Sequence, residues 1–345
     1  MGLPDMNTKV RQNHVFIVLL LLILSSIALQ FTAVKSIGVC YGVKGDNLPS
    51  RQEVIDLYKS HGIGGMRIYY PDEQALKALR RSNIEVLLDV AKENLSSLSD
   101  PAYANRWVKN FVVAYSDVNI RYIAVGNEIS PSDGEAKYIL RGMQNIQKAI
   151  SAANLQGKVK VSTAIKMDLL ENTYPPRNGK FKDPATTYIK PIIDFLVNNG
   201  SPLLANVYPY FAYSPPSSPI HLDFALFKQG TNDPAGYQNL FDAMLDSIYY
   251  ALEKIGAPNL QVVVSESGWP SDGGAKGANV NNARTYYQNL IKHVKGGIRT
   301  PKHNGPIKTY LFAMFDENKK PDPPTERHFG LFTPDKSPKY GISFN

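Results

Sequence analysis

The chain has 345 residues, with 38 Lys and Arg against 30 Asp and Glu, six histidines and a single cysteine. A net charge of +8 spread over that length, with no Lys/Arg cluster interleaved with aromatics, marks no nucleic-acid groove. The lone Cys40 excludes an intramolecular disulfide, so stability must come from a large core.

In chain order, Lys9, Arg11 and His14 precede the apolar run Val15–Leu29, and the small residues Thr32, Ala33 and Val34 follow. This is the pattern of a secretory signal peptide, residues 1–34, removed on export. The run is shorter than the roughly 20 apolar residues of a membrane span, so no membrane partner is expected after cleavage. Residues 35–345 then form one catalytic domain. Their length exceeds the usual domain but fits one closed α/β barrel.

Short apolar or β-branched runs recur at 37–42, 64–70, 84–90, 120–126, 158–165, 202–208, 260–266 and 307–315. Each reads as a strand. Between them lie segments with helical spacing at 51–61, 73–81, 103–115, 136–153, 187–198, 237–255 and 281–294. The strand runs are nearly continuously apolar, as in strands covered on both faces, so they should lie parallel. Eight β-then-α units predict a (β/α)₈ TIM-type barrel; no phosphate-cradling glycine loop follows the first run to favour an open doubly wound sheet. The longest interruptions, 172–184 and the Pro-rich start of 211–237, are expected as rim loops. Cys40, within IGVCYG, reads as a buried inert thiol. Two sequons, at Asn94 and Asn199, are possible glycan acceptors.

In such a barrel the chemistry sits at the C-terminal ends of the strands. The fourth run ends AVGNE, placing Asn127 and Glu128 at the rim, and the seventh ends VVVSESGWP, placing Glu266 beside Trp269. A lone glutamate there more often caps the next helix or pairs with a basic neighbour. Two, on strands four and seven, match the carboxylate pair of glycoside hydrolysis. The acid of such a pair needs a raised pKa and the nucleophile needs hydrogen-bond donors. Whether the outcome is retention or inversion depends on the carboxyl separation. After the eighth run, Glu317 and Lys320 could bind sugar hydroxyls, with Lys320 also lending positive charge to a carboxylate; a solvated turn is the alternative. Aromatics at other strand ends (Tyr41, Tyr69, Tyr70, Tyr208, Tyr210, Phe211, Trp269 and Phe315) could line a cleft for a polymer of sugars, although many aromatics so placed merely pack. No HExxH, Cys/His ligand cluster or GxSxG elbow occurs, so neither metal nor cofactor is called for.

At these residues the chain resembles the plant glucan endo-1,3-β-glucosidases of glycoside hydrolase family 17. The strings that carry the resemblance are MRIYYP, YIAVGNE, LLANVYPYF, YQNLFDA, VVVSESGWPS, YLFAMFDEN and HFGLF, and it runs from IGVCYG to YGISFN. The resemblance implies internal cleavage of β-1,3-glucan with retention by a secreted monomer. It implies Glu128 as general acid/base, Glu266 as nucleophile and Glu317 and Lys320 as their support. It also implies that Tyr208, Phe211, Phe315, Glu326 and Phe329 border the sugar subsites, and Tyr41, Asn127 and Trp269 join them as substrate-binding candidates from their place at strand ends. Defence against fungi or callose turnover would be the setting, extracellular or in the cell wall ahead of the vacuole, since no vacuolar extension follows Asn345.

Two departures stand out from the family pattern. Asp89-Val90-Ala91 and the following KENLSS reshape one rim, and Lys166-Met167-Asp168 puts a charged pair after the fifth strand. Competing readings are the same chemistry on mixed-linkage β-1,3-1,4-glucan, glycosyl transfer to another sugar, and a catalytically silent wall-glucan binder.

Overall fold

The computed structural model describes residues 37–344 apart from 229, 231–232 and 298. The expected signal peptide, residues 1–34, lies outside the described residues. Eight parallel strands close into a barrel in the order β1, β2, β3, β4, β5, β8, β9, β10 and back to β1. They are β1 (Gly38–Tyr41), β2 (Gly65–Ile68), β3 (Glu85–Asp89), β4 (Asn119–Asn127), β5 (Lys160–Lys166), β8 (Leu203–Asn206), β9 (Val262–Ser267) and β10 (Thr309–Leu311). Each falls within or across one of the eight predicted runs. Nearly every strand residue is buried, because the barrel interior takes one face of each strand and the helices take the other.

The helices follow the strands: α1 (Arg51–Ser60), α2 (Glu73–Leu79), α3 (Pro101–Phe111), α4 (Ala136–Ala152), α5 (Asp183–Asn199), α8 (Leu240–Lys254) and α9 (Val280–Lys295). Side-chain oxygens begin most of them. Ser50 and Glu53 form a reciprocal capping box on α1, and Asp72, Asp100, Asn239 and Asn279 cap α2, α3, α8 and α9. α5 starts earlier than its apolar spacing suggests, at Asp183, with Pro184 in its first turn, where a missing N–H costs nothing.

The rim loops are more structured than expected. The 172–184 region joins a two-stranded antiparallel hairpin, β6 (Leu170–Glu171) with β7 (Lys180–Phe181). The Pro-rich excursion after β8 holds two short helices, α6 (Pro209–Tyr213) and α7 (Leu222–Ala225). The eighth strand is shorter than its apolar run, and beyond it Phe315 bridges to Phe332 instead.

At the floor of the barrel the Tyr310 ring lies over Gly38, where any Cβ would collide with it, and the Tyr310 hydroxyl donates to Glu85 (2.9 Å). That aromatic plug closes the end opposite the site. Among the described residues no helix is long and apolar enough to cross a membrane.

Candidate active site

A cleft of about 400 Å³ opens at the C-terminal end of the barrel. Glu128 and Glu266 both line it, together with Tyr41, Asn127, Tyr208, Phe211, Glu317, Lys320, Glu326 and Phe329 from the sequence-based set. Tyr69, Tyr70, Asp72 and Phe312 complete its walls.

Glu128 follows β4 through an unusual backbone. Gly126 has φ +90°, and β4 shifts register against β5 between Ala124 and Asn127. Glu128 itself sits at φ +57°, a left-handed conformation that costs a non-glycine residue energy. Its amide donates to the Ala164 carbonyl (2.9 Å), which anchors the turn to β5. Asn206, ending β8, donates through Nδ2 to Glu128 Oε1 (2.8 Å). Burial, and then the charge of Glu266, push the Glu128 carboxyl above its ordinary range, with Asn206, Lys166 and Arg67 pulling the other way. That is the direction a general acid requires.

Glu266, on β9, is 6% exposed and held at both oxygens. Oε1 accepts from Arg67 Nη1 (2.9 Å) and the Tyr69 hydroxyl (2.7 Å), and Oε2 accepts from the Tyr208 hydroxyl (2.7 Å). Three donors suit an acceptor-only carboxylate and fix its direction. Arg67 is the hub. Fully buried, it donates twice to Asp89 on β3 (2.7 and 3.2 Å), to Asn127 Oδ1 (2.9 Å) and to Asn206 Oδ1 (3.3 Å). Burial pushes Asp89 up to about 6 against the opposing pull of Arg67. One guanidinium thus links β2, β3, β4, β8 and β9. Arg67, Asp89 and Asn206 were not among the sequence-based candidates, yet each is a polar residue within or ending a buried apolar run.

Glu317 lies 3% exposed across the cleft, its Oε1 accepting from the Lys44 amide (2.7 Å). A Cβ at Gly42 would collide with the Glu317 carboxylate, which is why a glycine follows Tyr41. Lys320 stands 3.7 Å from Glu317 and 3.5 Å from Glu326, with its ammonium 4.1 Å from the centre of the Phe312 ring. The cation in contact with Glu266 is therefore Arg67, and Lys320 serves the other two carboxylates. Phe211, 44% exposed, contacts Tyr208 and Phe329 and continues the aromatic wall.

Trp269 and Phe315 are not part of the cleft. Trp269 is fully buried, its indole N–H donating to the Gly277 carbonyl (2.9 Å) and its ring packed on Tyr210, Tyr213 and Tyr286. Phe315 is 2% exposed and meets Tyr41 edge-on from behind the wall. Both support the lining residues. Cys40 is likewise buried, donating to the Ser265 carbonyl, and burial pushes its thiol well up, so it is inert.

The family model for glycosyl hydrolases family 17 matches residues 37–344. The glucan endo-1,3-β-glucosidase of Vitis vinifera is 55% identical, over 97% of this chain and 99% of its own length. An acidic isoform of the same name from Nicotiana tabacum is 53% identical over 92% of this chain and 94% of its own. Among solved structures, a β-1,3-glucanase and allergen of Cryptomeria japonica pollen superposes with a TM-score of 0.86 at 44% identity, over 90% of this chain and 99% of that one. A plant β-glucan endohydrolase, one of two with distinct substrate specificities, gives 0.84 at 42% identity, over 89% and 99%. With the match spanning the whole barrel, the chain belongs to glycosyl hydrolase family 17.

Proposed function

We infer that the protein is an endo-1,3-β-glucanase that cleaves its polymer by double displacement, with Glu128 as general acid/base and Glu266 as nucleophile. The supporting observation is that both carboxylates open into one cleft and are held differently: Glu128 is pushed up by burial, whereas Glu266 is gripped by three donors. In this reading Glu128 protonates the glycosidic oxygen while Glu266 attacks the anomeric carbon; the bond to the leaving sugar breaks and a glycosyl ester forms. Glu128, now ionised, takes a proton from water, which attacks the ester and restores both glutamates. The names of the related enzymes support β-1,3-glucan as substrate. A basic exported monomer working on wall glucan fits the same reading.

The test is turnover on linear β-1,3-glucan by Glu128→Gln and Glu266→Ala. Each is expected to lose roughly 10³- to 10⁶-fold in kcat while still binding insoluble glucan. Wild-type turnover in either variant would overturn the assignment. Proton NMR of the first product should give the β anomer; an α anomer would replace retention with inversion. Comparison of products from linear and mixed-linkage glucan separates β-1,3 from β-1,3-1,4 specificity, and wild-type binding without sugar release would favour a silent binder.

A further inference from the structure

Lys166 ends β5 at the rim, and the strand pairing puts it beside Glu128. The Glu128 amide donates to the carbonyl of Ala164, two residues before Lys166 (2.9 Å). Ala164 pairs in register with Asn127, whose side chain reaches Arg67 inside the barrel, so Ala164 and Lys166 face inward too, since side chains alternate along a strand. Across the other edge of β5, Lys166 pairs in register with Asn206, the residue whose amide holds Glu128 Oε1. The Lys166 ammonium is tied to Asp168 at 2.9 Å, and both side chains reach solvent, at 37% and 52% exposure.

We propose that Lys166 is a positioning residue for the acid/base chemistry, its ammonium acting on Glu128 while Asp168 holds that ammonium and partly cancels its charge. The proposal rests on the reading of Glu128 as general acid/base. The charges that act most on Glu128 are Glu266 from β9, Lys166 from β5 and Arg67 from β2, with Lys44, Asp72, Glu317, Lys320 and Glu326 lining the same cleft, and Asp168 and Asp133 act on Lys166 in turn. Burial and Glu266 raise Glu128, and Lys166 opposes them. Removing the charge at 166 therefore lets Glu128 hold its proton to higher pH. Removing the charge at 168 frees the ammonium and has the opposite effect.

The experiment is the pH dependence of kcat/KM on soluble β-1,3-glucan for wild type, Lys166→Met, Lys166→Arg and Asp168→Asn, at low and high salt. The alkaline limb reports loss of the acid's proton. Lys166→Met is expected to move that limb up, and Asp168→Asn down, each by roughly 0.3–0.7 pH unit, the size expected of a half-exposed charge. Lys166→Arg should restore the wild-type limb, and about 1 M salt should shrink all displacements. A merely structural pair would lower activity in both variants without moving the limb in opposite directions. Displacements of the same sign, or none, would overturn the proposal. Glu128→Gln separates the two failures. If it keeps wild-type turnover the acid/base reading falls, and if it is inactive while the Lys166→Met limb stays put, only the role of Lys166 falls.

Discussion

Arg67 shows how one side chain can carry a site. Its guanidinium is fully buried between Asp89 and Glu266, and replacing it by Met would leave two carboxylates in the barrel without their cation. Breaking a buried pair from one side typically costs about 3–5 kcal/mol, so Arg67→Met should lower the unfolding free energy measured by urea titration by that much, and turnover with it. A loss below about 1 kcal/mol would mean that Arg67 does not hold the network together. Glu128 poses the opposite case. Burial raises its folded pKa above the unfolded value, so the folded state binds the extra proton. The resulting destabilisation is absent below the unfolded glutamate range and develops as pH rises towards the folded value. Glu128→Gln keeps an oxygen for Asn206 and carries no charge, so it should melt higher than wild type at neutral pH and equal to it in acid; identical melting at both would argue against a buried ionised Glu128. The two glutamates were legible in the sequence because each interrupts the end of an apolar run. Arg67 and Asn206 were equally visible in MRIYY and LLANVY, but a strand's sequence does not say which polar residue points inward. Trp269 misled for the same reason: it lies close after Glu266, and chain proximity does not say which side of the rim a side chain takes.

At the scale of elements, the barrel was readable because buried parallel strands and amphipathic helices write different periods into the chain, and their alternation leaves few topologies. Caps then fix where helices begin. Asp100 accepts from the Ala102 amide (2.9 Å) and is followed by Pro101 in the first turn of α3. Asp100→Ala removes only that cap, so it should cost about 1 kcal/mol, or about 2 °C in Tm for a chain this long, without altering kcat. Calorimetry showing no change would mean that the proline and the packed face of α3 suffice. The hairpin β6/β7 and helices α6 and α7 were not legible, since each is too short for a period to emerge. The two-residue strands of the hairpin pair only with each other, and α6 takes its form from packing, Tyr210 burying its ring against Trp269 and Phe329.

At the scale of the molecule, a chain that reads as exported holds together without a single crosslink. Its stability rests on barrel closure, which leaves no edge of a barrel strand unpaired, and on a core that runs from the Tyr310 plug to the aromatic layer beneath the cleft. Cys40 belongs to that core as a small apolar residue, not to redox chemistry: it is buried on β1, and its thiol is pushed up by burial and by the Glu266 charge. A thiol in that state is neutral and out of reach. The native protein should therefore give no colour with a thiol-specific reagent over hours, and one equivalent on denaturation. Dithiothreitol should leave Tm unchanged, because there is no disulfide whose reduction would loosen the unfolded chain's constraint. Rapid reaction of the native thiol would mean that the core around β1 opens far more readily than its complete burial implies.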